Sequence, residues 1–296
     1  MRDCFSAYHP AINFIFFLGA MICGMILLHP GYLACSVFLS FTYYLTLQKE
    51  KGLRFIFGMV SLFCLLSLIN PVFNTYGETV LFVWPGGRPY TREALYYGMA
   101  LAAMMISVLA WFASWQIVMT SDKFLYLFGH LAPAATLTLT MIFRLIPSYR
   151  KKEEQIGNAR KCIGMDADTG NTAAKAAHGM VIVSALMSWA LEGGIVTADS
   201  MRSRGYGCGK RTHFSRYRFA GRDKALLGFM VFLLAAVILC GMGGGAAVVF
   251  TPRFEMAGRS SPWFSAGIFA YFLFLFIPSA INILEEIRWH SLRSEI

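Results

Sequence analysis

The stretch Thr197-Ala198-Asp199-Ser200-Met201-Arg202-Ser203-Arg204-Gly205-Tyr206-Gly207 decides how this chain is organised. Its first eight residues suit a helix, and Gly205 stands where a helix stops in a left-handed conformation. Arg204 then projects from a helix C-terminus, where the dipole favours a cation. Held there, a guanidinium can offer a fork of hydrogen bonds to a partner's carboxylate or to its free carbonyls. From Arg202 to Lys224 the chain carries eight Lys or Arg residues against one acid, Asp223. An ordinary cytoplasmic loop that sets orientation or touches anionic lipid would also be basic, so charge alone does not separate the two readings.

The surroundings of this block are apolar. Hydrophobic residues make up 57% of the 296, aromatic residues 15%, and the mean hydropathy is +0.55. That is more apolar surface than one soluble core needs, and it predicts an all-α, polytopic membrane bundle. The net charge of +10 is gathered into patches between apolar segments, which is the positive-inside pattern rather than a nucleic-acid surface. The seven cysteines are scattered without paired metal-ligand spacing and read as small apolar packers. No basic leader region precedes the first apolar run, so Ile12 to Leu28 reads as a retained span.

Spans follow from the roughly 20 apolar residues a hydrocarbon core requires. They are expected at about Ile12 to Leu28, Tyr32 to Leu47, Phe55 to Ile69 (broken by Asn70-Pro71), Ala94 to Met119, Ala225 to Phe250 and Phe264 to Leu284. Lys49, Lys51 and Arg54 place the second connection, and with it both termini, in the cytoplasm. Phe124 to Pro147 would cross outward on hydropathy alone, but that would carry Arg144, Arg150, Lys151, Lys152, Arg160 and Lys161 to the outside. The charge rule instead makes it an interfacial or obliquely packed cytoplasmic helix ended by Pro147. Thr172 to Leu191 has an apolar centre too short to cross readily, and its alanines suit close approach to another helix. The chain thus divides into N-terminal membrane helices (1–119), a cytoplasmic helical region (120–224), and C-terminal membrane helices with a cytoplasmic tail (225–296).

The residues from Ala198 to Tyr206 resemble the second arginine motif of the transmembrane coupling subunit of energy-coupling factor transporters, the ABC importers of vitamins and metals that include cobalt-transport permeases. Ser203-Arg204-Gly205 stands for that family's Ala-Arg-Gly. The resemblance continues through Lys210-Arg211-Thr212 and Phe219 to Asp223. Upstream it takes in Asn70-Pro71-Val72-Phe73, Gly77, Thr91, Glu93-Ala94, Tyr97-Gly98, Thr120, Asp122 and Phe143 to Pro147. The first arginine motif departs from the pattern. Cys162-Ile163-Gly164-Met165-Asp166 aligns with it and puts Ile163 where the family has an arginine. Isoleucine cannot make the bidentate contact, while Arg160 and Lys161 lie nearby and could supply charge from a shifted position; Arg202 is a supporting charge beside Arg204.

The resemblance implies a membrane bundle joined to two long coupling helices that end in the arginine motifs. Each motif would meet a groove on one of two cytosolic ATPase subunits, and a separate small membrane protein would capture the vitamin or metal ion. Such a subunit is not an enzyme and binds no cofactor directly, since its partners hydrolyse the ATP. Gly205-Tyr206-Gly207-Cys208-Gly209-Lys210 lacks the spacing of a phosphate loop and has Arg211 where Ser or Thr is required. Two other classes remain open: an ion-driven secondary transporter, which should carry ionisable groups in mid-span, and a noncatalytic membrane assembly protein. Glu93 reads as a helix-entrance charge rather than a proton relay, and His130 and His178 as packing or hydrogen-bonding residues rather than metal ligands. Tyr43, Trp84, Trp111, Trp263 and Trp289 are candidate interfacial anchors, and Gly19, Ala20 and Gly24 are small enough for contact with the capture protein.

Overall fold

The computed structural model describes residues 3–74, 77, 79–83, 89–129, 132–165, 172–209, 217, 219–248 and 261–294. Among these, His130, Trp84, Asp166, Lys210 to Arg216 and Arg218 do not appear. The described chain is helical throughout apart from one two-stranded ribbon, and it divides into two units: Met1–Phe124 with Tyr217–Ile296, and Leu125–Arg216.

In the first unit a short 3-10 turn, Phe5–Ala7, leads into α1 (Pro10–Ile26), α2 (Pro30–Leu47) and α3 (Lys49–Phe73). The first two helices start in the same way. His9 and His29 are N-caps whose Nδ1 atoms accept from the amides of Ala11 (3.2 Å) and Gly31 (3.1 Å), with Pro10 and Pro30 in the first helical position. Proline suits that site because its missing N–H would have no intrahelical partner. The ribbon pairs β1 (Val80–Val83) with β2 (Pro89–Thr91) antiparallel and stacks Phe82 on Tyr90. It runs directly into α4 (Arg92–Val118) and then α5 (Ser121–Phe128). The unit closes with α8 (Gly221–Cys240), a π-helical turn at Gly241–Gly245, and α9 (Pro262–Ser294). At the start of α8, Asp223 accepts from the Ala220 amide at 3.2 Å.

The core lies where α1, α2, α4, α8 and α9 meet. Phe16 packs edge-on to Phe17 (5.2 Å) and Trp111 (5.5 Å) and against Phe274 (5.3 Å), and Tyr43 stacks on Trp111. Such aromatic pairs contribute about 0.5–1.5 kcal/mol each beyond their burial. Trp111 and Tyr43 are wholly buried, so these two expected interfacial anchors are core residues, while Trp263 and Trp289 are exposed. Ala20 is buried too. A Cβ on Gly19 would meet Phe274 at 3.1 Å and one on Gly24 would approach Ser107, so all three small residues serve bundle packing.

In the second unit, α6 (Pro133–Cys162) and α7 (Thr172–Ser203) run antiparallel. Tyr149 packs edge-on against Trp189 (5.3 Å), the Lys152 ammonium lies 5.8 Å from the Trp189 ring centre, and Arg160 Nη2 lies 2.8 Å from His178 Nδ1. As the number rises on one helix, it falls on the other.

Two proline expectations need correction. α3 continues through Pro71 and α6 through Pro147, while α9 runs through Pro278, as the expected span Phe264 to Leu284 already required. A proline removes one helical hydrogen bond, but the neighbouring turns of a long, well-supported helix carry the axis past it. By length and composition, five helical stretches among the described residues can cross a membrane: Lys51–Phe73, Arg92–Val118, Lys175–Ser203, Gly221–Gly245 and Pro262–Trp289. Four of the six expected crossings are among them. α1 is a shorter apolar helix, and α7 joins the set because it runs unbroken for 32 residues, well past the apolar centre on which the sequence reading rested.

Candidate functional site

The two helix ends expected to matter have the same backbone. At the end of α7, the Gly205 amide donates to Arg202 O (3.1 Å), the Tyr206 amide donates to Met201 O (3.0 Å), and Gly205 has φ +77°. At the end of α6, the Gly164 amide donates to Lys161 O (3.0 Å), the Met165 amide donates to Arg160 O (3.0 Å), and Gly164 also has φ +77°. This pair of crossed bonds with a left-handed glycine is the Schellman stop, which satisfies carbonyls the helix leaves open. Ile163 and Arg204 therefore occupy equivalent positions, each the residue just before the left-handed glycine. The two sequences, Arg160-Lys161-Cys162-Ile163-Gly164-Met165 and Met201-Arg202-Ser203-Arg204-Gly205-Tyr206, differ in what that position presents.

Both ends are open. Ile163 is 68% exposed and Cys162, Gly164, Ser203, Arg204 and Gly205 are exposed as well. Ser203 turns its Oγ back on Ser200 O at 3.0 Å, the usual local bond of a helical serine. Arg204 makes no side-chain hydrogen bond or ion pair among the described residues, and neither does Arg202. Arg160 is different: it is half-buried and engaged with His178, so its charge is held on the α6–α7 seam instead of being offered at the tip. When Arg160 donates to Nδ1, the His178 ring must be neutral at that nitrogen, which bears out the reading of His178 as a hydrogen-bonding residue. Lys161 is exposed in the last turn of α6.

The antiparallel register sets the separation. Ile163 lies within one turn of Arg160, which meets His178, and Arg204 lies 26 residues further along α7. At 1.5 Å per residue the two ends are about 39 Å apart, at opposite ends of the pair. Between them the pair leaves much of its apolar surface uncovered. Met180, Val183, Met187, Leu191 and Ile195 on α7 are all more than half exposed, and Ile142, Phe143 and Ile146 on α6 nearly half.

Two further clusters organise the first unit. Lys123 on α5 is buried, and its Nζ donates to Ser6 O (2.6 Å), Ser6 Oγ (2.7 Å) and Val118 O (3.0 Å). It thereby ties the end of α4 to the N-terminal turn. Burial lowers its pKa, and the nearby Asp3 carboxylate opposes that. Asp3 accepts from Tyr43 Oη (3.0 Å) and Asn282 Nδ2 (2.7 Å), joining α2 and α9 to the same corner. Sequence reasoning missed Lys123, although a lone lysine between apolar helices was a usable signal. At the other end of the unit, Thr79 Oγ1 donates to the buried Glu93 (2.5 Å). A Cβ on Gly77, at φ +99°, would collide with the Glu93 side chain, and one on Gly98 would stand 2.9 Å from Asn70 Cβ. Asn70, Gly77, Glu93 and Gly98, separate in the sequence, thus pack along one α3–α4 seam. The group seals a helix entrance, which is the role expected of Glu93.

Among the described residues no group of three or more His, Cys, Asp or Glu side chains is placed to hold a metal. Of the cysteines, Cys23 and Cys240 are buried packers as expected, whereas Cys64, Cys162 and Cys208 are exposed. No protein-family model matches the chain, and no curated protein matches it.

Proposed function

We propose that this chain is the transmembrane coupling subunit of an energy-coupling factor ABC importer. In this reading it transmits the movement of two cytosolic ATPases to a small membrane protein that captures a vitamin or metal ion. The carrying observation is the pair of identically capped, exposed helix ends about 39 Å apart on one antiparallel pair. One lever with two contact points suits a pair of ATPase subunits that close on ATP. Arg204 supplies the ionic contact at one end, and the coupling is mechanical, with ATP hydrolysed by the partners.

The α6–α7 contacts also support a cytoplasmic place for this unit. Tyr149 and Lys152 touch Trp189 in the middle of α7, so Arg150, Lys151, Lys152, Glu153 and Glu154 travel with the centre of α7. Carrying them into hydrocarbon would cost roughly 2.5–3.5 kcal/mol for each central Lys, Arg or Asp. The uncovered apolar face of α7 is then a surface for another protein or the membrane boundary rather than a crossing. The basic residues Lys49, Lys51 and Arg54 favour cytoplasmic termini.

An ion-driven transporter is the second reading, and the spans weigh against it. In the described spans the buried acids, Glu93 and Asp223, sit in the first turns of α4 and α8, and Lys123 lies on α5 beyond the end of α4. Copurification tests the proposal: a stable complex with two ATPase chains and a small membrane protein is expected. Uptake by the isolated chain would refute it. Arg204→Ala should cut ATPase association or uptake far more than Arg216→Ala, whereas equal small losses would mean diffuse electrostatics.

A further inference from the structure

A groove of about 700 Å³ opens between α2, α3 and α4, and nothing in the coupling reading uses it. Its walls are apolar: Leu33, Val37 and Phe41 from α2, Met59 and Phe63 from α3, and Met99 and Ala103 from α4. The three helices make it a wedge. At one end α2 and α3 are pinned together by Tyr44 on Phe55 (4.3 Å). Toward the other end α3 leans onto α4, where Gly98 admits Ser67 and Asn70. Pro30, at the start of α2, and Tyr96, near the start of α4, line the groove at that end, which we take as its mouth.

A cation stands at that mouth. Exposed Arg92 donates from Nε (3.1 Å) and Nη2 (2.9 Å) to Tyr96 Oη, with its guanidinium 5.3 Å from the Tyr96 ring centre. These two bonds fix the fork and leave three of its five N–H donors for a ligand. We propose that the groove holds one acyl chain of a glycerophospholipid whose phosphate is bound by Arg92. The proposal rests on the reading that α3 and α4 cross a membrane, and it is independent of the coupling role.

Size and chemistry select this occupant. Pro30 to Phe41 spans 11 residues, about 16 Å, which matches half of a hydrocarbon core of about 30 Å, the depth of one leaflet. Helix contacts inside membranes favour small residues, whereas Phe41, Phe63, Met59 and Met99 line this wall. Because lipid tails and apolar side chains attract one another no more than they attract other lipid, the groove alone fills without preference. Selectivity belongs to the Arg92 fork, which recognises a phosphate oxygen pair.

The full chain, extracted from membranes in mild detergent and measured by native mass spectrometry, should retain one phospholipid. After delipidation, dioleoyl phosphatidylglycerol should raise its melting temperature, while diacylglycerol with the same chains and free glycerol phosphate should not. Arg92→Gln, a surface change, should weaken the phospholipid effect about tenfold, and Ala103→Trp, which fills the groove, should abolish retention. Equal stabilisation by diacylglycerol, lipid retention by the filled variant, or no effect of Arg92→Gln would overturn the proposal. A chain that resists alkaline extraction from membranes yet neither retains nor responds to phospholipid would overturn it while leaving the membrane reading standing. Release by alkali would sink both.

Discussion

Replacing Gly205 by alanine isolates the geometry of the α7 end from its charge. Gly205 has φ +77°, and an added Cβ would meet nothing within 4 Å, so the only cost is conformational. For an L-residue that cost is about 1–2 kcal/mol, which alanine bears fully and asparagine only in part. The last turn should then open 5- to 30-fold more often. The amides that report this are Gly205, bonded to Arg202 O, and Tyr206, bonded to Met201 O. In the alanine variant, hydrogen exchange at Tyr206 should accelerate by that factor, with mid-helix amides unchanged, and Gly205→Asn should fall between alanine and wild type. Gly164→Ala should do the same at Met165, because that glycine has the same φ and equally open space. If Tyr206 exchanged at the wild-type rate in Gly205→Ala, or if asparagine were as disruptive as alanine, the Schellman stop would not be what holds Arg204 in place.

Other consequences follow from the same geometry. Ile163→Arg should strengthen ATPase association about tenfold if that end meets an acidic groove; unchanged binding in a titration would show that isoleucine is not the weak point. Lys123→Met keeps the bulk but leaves Ser6 O and Val118 O without their donor, and should cost about 2–4 kcal/mol in denaturant unfolding. A loss below 0.5 kcal/mol would demote the latch. Burial lowers the pKa of His9, with Asp223 opposing it, and burial likewise lowers that of His29, while both Nδ1 atoms must stay unprotonated to accept their cap bonds. Their contribution is therefore complete above the ordinary histidine value near 6.5 and is lost as pH falls through the depressed values. The melting temperature should drop between pH 7 and 5, and replacing both residues by asparagine, also a good cap, should flatten that drop. An unchanged slope would place the acid sensitivity elsewhere.

What could be read from the sequence was whatever depends on local pattern. The apolar runs of α3, α4, α8 and α9, the stop at Gly205 and the alignment of Ile163 with Arg204 all rest on residues within a turn or two of each other. The His9-Pro10 and His29-Pro30 helix starts are equally local, a capping side chain followed by a proline in the first turn. Prolines misled because a single lost hydrogen bond was weighed without the two or three turns that flank it in α3 and α6. Long-range pairings were out of reach. Nothing near Lys123 announces Ser6, 117 residues away, and nothing near Asp3 announces Asn282. Trp111 and Tyr43 show why an aromatic beside a span end is ambiguous: the same amphipathic ring suits an interface or a core with a polar partner, and Tyr43 found Asp3.

The Ile163 departure gains meaning from the backbone. Had the α6 end also lost its glycine stop, the simplest view would be an abandoned contact. Instead Gly164 holds the same φ as Gly205, with the same two crossed bonds, and exposes an isoleucine beside an exposed methionine, Met165. A left-handed glycine at an open helix end is not required for packing there, since nothing lies within 4 Å of its would-be Cβ. An end still shaped for contact but apolar in chemistry suits a partner surface different from the one that receives Arg204. Within the coupling reading, the two ATPase contacts then differ in kind, and the Ile163→Arg titration separates an altered contact from a lost one.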